Sequence, residues 1–212
     1  MSIDPPLPTP YFLARPSREP RAAVIVMMEG NGIGWQLLRV CERLAAQGYL
    51  AIAPDIFHRQ ADGHGDWQKA FASQRNDESL SDIRTCAEIA RAQGARRVGI
   101  TGFCNGGRLT YLAAVSGIDV QAAAPFYGGG IDRLLGVPSC PLLAFFGGND
   151  EYVPNAAIEA VRAHHPRDVV VYPEAGHGFM RDGSDSYHEP SAVDAWRRLL
   201  DFFATHLGAA AV

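Results

Sequence analysis

Six short apolar runs are separated by stretches of helical period, and this alternation limits the architectures open to the chain. The runs are Ala22–Met28, Tyr49–Ala53, Arg97–Thr101, Ala122–Tyr127, Pro141–Phe146 and Val169–Tyr172. They show little alternation of polar and apolar residues, the pattern of strands buried on both faces. Between them, Trp35–Gln47 carries Leu37, Leu38, Cys41, Leu44 and Ala45 on one helical stripe, closed by Gly48. Leu80–Ala92, Gly106–Val115, Asn155–Ala163 and Ala192–His206 read as further helices. Phe57–Asn76 is polar and irregular, with room for a short helix near Trp67–Phe71. Strands alternating with helices predict a mostly parallel central sheet with helices on both faces. Right-handed crossovers gather the carboxyl ends of the strands along one edge, which is where such sheets bind ligands.

Reactive side chains that directly follow a strand are therefore the candidates for chemistry. Gly102-Phe-Cys-Asn-Gly-Gly107 follows the third run, with Cys104 in the middle of a Gly-x-Cys-x-Gly turn. Such a turn presents a nucleophile in a strained conformation, and small residues on either side let the next helix pack against the strand. A buried structural cysteine is the plainer alternative. Asp150 follows the fifth run in Gly147-Gly-Asn-Asp150, and His177 follows the sixth in Glu174-Ala-Gly-His-Gly-Phe179. Taken singly, each could be an ordinary turn residue. Together they give the chain order nucleophile, acid, histidine.

At these residues the chain resembles the dienelactone hydrolase family, the cysteine branch of the α/β hydrolases. The matching stretches are Val24–Glu29, Pro54-Asp55, Gly102–Gly107, Gly147–Pro154 and Glu174–Phe179. The resemblance implies an α/β-hydrolase fold and a Cys104–His177–Asp150 triad, with Glu29 close to the resting thiol. It also implies that Arg181 matches one of two arginines that hold a substrate carboxylate. The second arginine should fall in the Phe57–Asn76 region, where Arg59 is nearby but loosely aligned. Glu29 has plainer uses as well: capping a helix or pairing with an arginine.

The chemistry asks for this set. A free thiol is only a few per cent thiolate at neutral pH. His177 can take its proton, with Asp150 holding the imidazole tautomer. The backbone N–H groups of Asn105 and Gly30 are the expected oxyanion donors, while Phe103 and Tyr127 are candidate substrate-binding aromatics. Tyr152, Trp67 and Phe179 could also line a pocket, but any of the five can be core. The expected function is hydrolysis of small esters or lactones through an acyl-thioester. A carboxylesterase or thioesterase on the same triad, and a silent small-ligand binder, are the alternatives.

The remaining expectations come from bulk properties. A length of 212 residues suits one domain, residues 1–212. Within it the proline-rich residues 1–20 read as an extended arm and 208–212 as a frayed tail. A net charge of −4 offers no basic surface for nucleic acid. No apolar stretch approaches the roughly 18 residues that span a bilayer, and the N-terminus has no signal-peptide pattern. A cytoplasmic location is expected, as monomer or homodimer. The cysteines at 41, 86, 104 and 140 are scattered, so no zinc site is expected, and no cofactor. Cys41, Cys86 and Cys140 read as core fillers.

Overall fold

The computed structural model describes residues 9–60 and 65–208. Among these residues seven strands form one sheet in the order β1-β3-β2-β4-β5-β6-β7. They are β1 (Tyr11–Ala14), β2 (Ala22–Met27), β3 (Leu50–Pro54), β4 (Arg97–Phe103), β5 (Ala122–Phe126), β6 (Ala144–Gly147) and β7 (Val169–Tyr172). All pairings are parallel except β1 with β3. The chain adds β3 on one side of β2 and then β4 on the other. That reversal opens a crevice at the carboxyl end of β2, where a ligand can enter.

The helices are α1 (Trp35–Ala46), α2 (Trp67–Ser73), α3 (Asn76–Ala92), α4 (Asn105–Val115), α5 (Asn155–His164) and α6 (Glu189–Leu207). Contacts of α1 with β2 and β3 and of α6 with β4 and β5 build one layer, joined where the Arg43 guanidinium lies 3.8 Å from the centre of the Trp196 ring. Contacts of α3 with β2, β3 and β4, and of α4 with β4 and β5, build another, in which the two helices touch each other. The inner strands β2 to β5 are almost wholly buried, which is why their sequences lack alternation.

Boundaries move where local chemistry overrides the apolar pattern. Within the expected N-terminal arm, Tyr11–Ala14 adds an antiparallel edge strand. Helix α3 begins at Asn76, not Leu80, because its first turn is polar; Asp77 and Glu78 there favour the helix amino terminus. Strand β6 begins at Ala144, since Pro141 has no N–H for a ladder and Leu142 makes only an isolated bridge to Ala123. Of the expected frayed tail, residues 209–212 lie outside the described residues. No helix among the described residues is long and apolar enough to cross a membrane.

Candidate active site

Strand β4 runs straight into α4 through Cys104, whose φ of 55° and ψ of −116° lie in a region that non-glycine residues rarely adopt. The surroundings leave no other path. A Cβ on Gly106 would sit 2.3 Å from the Met27 carbonyl oxygen, and one on Gly102 would sit 2.4 Å from the Gly106 oxygen. Glycine at both positions is what lets α4 cross close over the ends of β2 and β4. Asn105 opens α4, so its N–H has no partner one turn earlier in the helix. Its side chain donates to Gln74 Oε1 at 2.8 Å, tying the amino end of α4 to the residue that follows α2.

Asp150 and His177 are brought together by the loops after β6 and β7. The N–H of Gly148 donates to the Tyr172 carbonyl and that of Asn149 to the Ala175 carbonyl, lacing the two loops together. The Asp150 Oδ1 atom accepts the N–H groups of Tyr152 at 2.8 Å and Val153 at 3.0 Å, fixing the carboxylate in its own turn. Its Oδ2 atom lies 2.9 Å from His177 Nδ1. The carboxylate only accepts, so Nδ1 carries the hydrogen and Nε2 is left for other work. His177 also lies close enough to the Cys104 side chain for the two to influence each other electrostatically. Burial works to lower the pKa of this imidazole, but Asp150 and Cys104 outweigh it and raise it to about 9. Edge-on rings flank the imidazole: Tyr127 at 5.0 Å and Tyr152 at 4.9 Å between centroids.

The other cysteines have different surroundings. Burial pushes the Cys41 and Cys86 thiols up to about 12 and that of Cys140 to about 11. They stay protonated near neutrality, as suits core fillers, although Cys140 is only half-buried.

Glu29 follows β2 and makes two hydrogen bonds with Arg181, whose Nε lies 2.8 Å from Oε2 and 3.1 Å from Oε1. The plainer sequence reading of Glu29, pairing with an arginine, describes this arrangement. Arg181 is therefore paired with Glu29 in this structure. Its loop is anchored to α1 through the bond from Gln36 Nε2 to the Met180 carbonyl, 2.7 Å. Arg59 is committed too. It donates to both oxygens of the fully buried Asp82, at 2.7 and 2.8 Å, and Asp82 also meets His58 and Thr9. No convincing second substrate arginine emerges from the Phe57–Asn76 region among its described residues.

The two expected substrate-binding aromatics are both buried. Phe103 is 3 % exposed, with its ring 5.0 Å from Phe126 and 6.1 Å from Tyr127, so it is a core aromatic and not a pocket wall. Tyr127 is fully buried with a positive φ of 36°, and its hydroxyl lies close enough to Glu29, Arg181 and Cys104 to feel their charges. Burial raises its pKa well above the ordinary value, which keeps the phenol protonated. Gly30 adjoins Phe71 of α2, whose ring lies 3.6 Å from the place a Cβ would occupy. Sequence reasoning missed Phe71 and Gln74, because neither their type nor their spacing marks them.

A family model described as the dienelactone hydrolase family matches residues 10–207. The chain belongs to this family. A provisionally designated carboxymethylenebutenolidase of Salmonella typhimurium is 35 % identical, over 94 % of this chain and 83 % of its own length. One from Yersinia pestis is also 35 % identical, over 93 % and 84 %. The crystal structure of a provisionally designated dienelactone hydrolase from Klebsiella pneumoniae superposes with a TM-score of 0.84 at 34 % identity, covering 93 % of each chain. The α/β-hydrolase fold and membership of a hydrolase family are thus established, and the expected resemblance extends over nearly the whole chain.

Proposed function

We propose that this member of the dienelactone hydrolase family hydrolyses small esters or lactones with Cys104 as nucleophile, His177 as proton carrier and Asp150 as its orienting acid. The observation that supports the proposal is the Asp150–His177 hydrogen bond, with Cys104 near enough to the imidazole to affect it electrostatically, at the edge of the sheet where the strands end.

In the proposed reaction the thiol proton is held by His177 while the sulfur adds to the substrate carbonyl. Negative charge then develops on the carbonyl oxygen. The N–H groups of Asn105 and Gly30 are the donors assigned to it, and each such donor contributes on the order of 3 kcal/mol. As the tetrahedral intermediate collapses, the carbon–oxygen bond breaks and His177 gives its proton to the departing alcohol. Neutral His177 then activates a water molecule, which cleaves the thioester and returns the thiol. Helix α4 adds the positive end of its dipole beneath the sulfur.

The charge balance bears on substrate choice. Glu29 already neutralises Arg181, and Asp82 neutralises Arg59. An acidic substrate would have to compete with Glu29 for its counter-ion, so uncharged esters and lactones fit this site better than an unsaturated lactone acid. Hydrolysis of a chromogenic acetate ester by the wild type and by Cys104→Ala tests the assignment. Turnover that vanishes with the thiol while the fold persists supports it; turnover that survives in Cys104→Ala rejects it.

A further inference from the structure

Tyr152 combines three properties seldom found together. It is 69 % exposed, its main chain is pinned, and its ring lies against the catalytic imidazole. The pin is the bond from its own N–H to Asp150 Oδ1, so the ring is carried on the turn that also orients His177. Its position beside the imidazole indicates what can pack on it. In the hydrolase reading, His177 delivers a proton to the oxygen of the departing alcohol, so the group on that oxygen leaves beside the imidazole and meets the ring that flanks it. Tyr127, the other flanking ring, is fully buried and cannot be that wall. Phe71 lies against Gly30, where the carbonyl oxygen is expected.

We propose that Tyr152 forms the leaving-group subsite and that the enzyme prefers esters of flat, aromatic alcohols over those of aliphatic ones. The inference rests on the thiol-hydrolase reading above. In the step concerned, the sulfur–carbon bond forms, the bond from carbon to the aryl oxygen breaks, and His177 passes its proton to the phenoxide, which leaves as a phenol. The phenol ring packs edge-on or offset against Tyr152 while the carbon–oxygen bond lengthens.

Phenyl acetate and trifluoroethyl acetate give the same acetyl-enzyme, so a difference between them that a mutation alters arises while the leaving group is still present. The two esters are compared in the wild type, Tyr152→Ala, Tyr152→Phe and Cys104→Ala. Tyr152→Ala is expected to lower kcat/KM for the phenyl ester about tenfold more than for the trifluoroethyl ester, the effect of losing one aromatic contact. Tyr152→Phe is expected to keep the wild-type discrimination, since the ring and not the hydroxyl is used. An equal loss on both esters, or no loss on either, overturns the subsite while leaving the triad standing. Undiminished turnover of both esters by Cys104→Ala overturns the hydrolase reading and the subsite with it.

Discussion

Replacing Asp150 by asparagine changes one atom, and the structure indicates which way the new amide must face. Oδ1 of Asp150 accepts two main-chain N–H groups, those of Tyr152 and Val153. An asparagine keeps both bonds only if its carbonyl oxygen takes that place, so its NH₂ group faces His177. Two donors cannot share a hydrogen bond, and the imidazole must then put its hydrogen on Nε2 and accept at Nδ1. The nitrogen facing Cys104 becomes a donor and cannot take the thiol proton. The lost charge adds to this. The rise of the His177 pKa from 6.5 to about 9 amounts to roughly 3 kcal/mol of preference for the imidazolium. Burial opposes that rise, and the hydrogen bond to Asp150 is the largest contribution in its favour. With the inverted tautomer, a loss in kcat/KM of about 10³ to 10⁴ is expected, comparable to the same change in serine triads. The turn keeps its bonds, so stability should barely move above about pH 9, whereas below that pH the lost pairing with the imidazolium lowers it. Asp150→Ala, which strips both N–H groups of their acceptor, should cost about 1–3 kcal/mol in addition. Ester kinetics, thermal melts and ¹⁵N shifts of the imidazole check each part. An Asp150→Asn enzyme within tenfold of the wild type, with the hydrogen still on Nδ1, would refute the reasoning.

Further consequences concern the elbow, the pH response and the Glu29 pair. Gly106→Ala forces a Cβ to within 2.3 Å of the Met27 carbonyl oxygen, so the end of β2 must give way. A destabilisation of about 1–3 kcal/mol and a roughly 10²-fold loss of activity from misplacement are expected. Gly34→Ala, which meets nothing within 4 Å, should do neither; melts and kinetics of the pair decide. For His177, protonation is more favourable in the folded chain than in the unfolded one, so its stabilising contribution is full below about pH 6.5 and is lost as the pH rises through about 9. The stability difference between wild type and His177→Gln, followed across that range, should shrink accordingly. Arg181→Ala leaves the Glu29 carboxylate, whose side chain is 12 % exposed, without its cation. It should cost about 1–3 kcal/mol, and adding Glu29→Gln should recover most of that in a double-mutant cycle.

What could be read from the sequence was local or followed from sheet topology. Cys104 stood out because Gly102 and Gly106 flank it within five residues, and both glycines meet backbone that no side chain could pass. Asp150 and His177 were found by asking which side chains follow buried strands, a question that needs only the apolar runs. Pairings across long stretches of chain were not legible. Glu29 meets Arg181 across 152 residues, and Arg59 meets Asp82 from a loop to a helix. Nothing in either sequence neighbourhood shows that these charges are matched, which is why the pairing of Arg181 with Glu29 was not legible. Phe103 read as a possible pocket wall because a strand buried on both faces gives no alternation to tell a core side chain from one facing the cleft. The edge strand Tyr11–Ala14 escaped notice because it is short, partly exposed and preceded by prolines.

The central claim is that acyl groups pass through the sulfur of Cys104, and quenched-reaction mass spectrometry tests it most directly. Wild-type enzyme mixed with an activated acetate ester and quenched in acid during turnover should carry one acetyl group on the peptide containing Cys104. That label should decay as the ester is exhausted. Steady turnover with Cys104 unmodified at every time, or with the acyl group on another residue, would contradict the account.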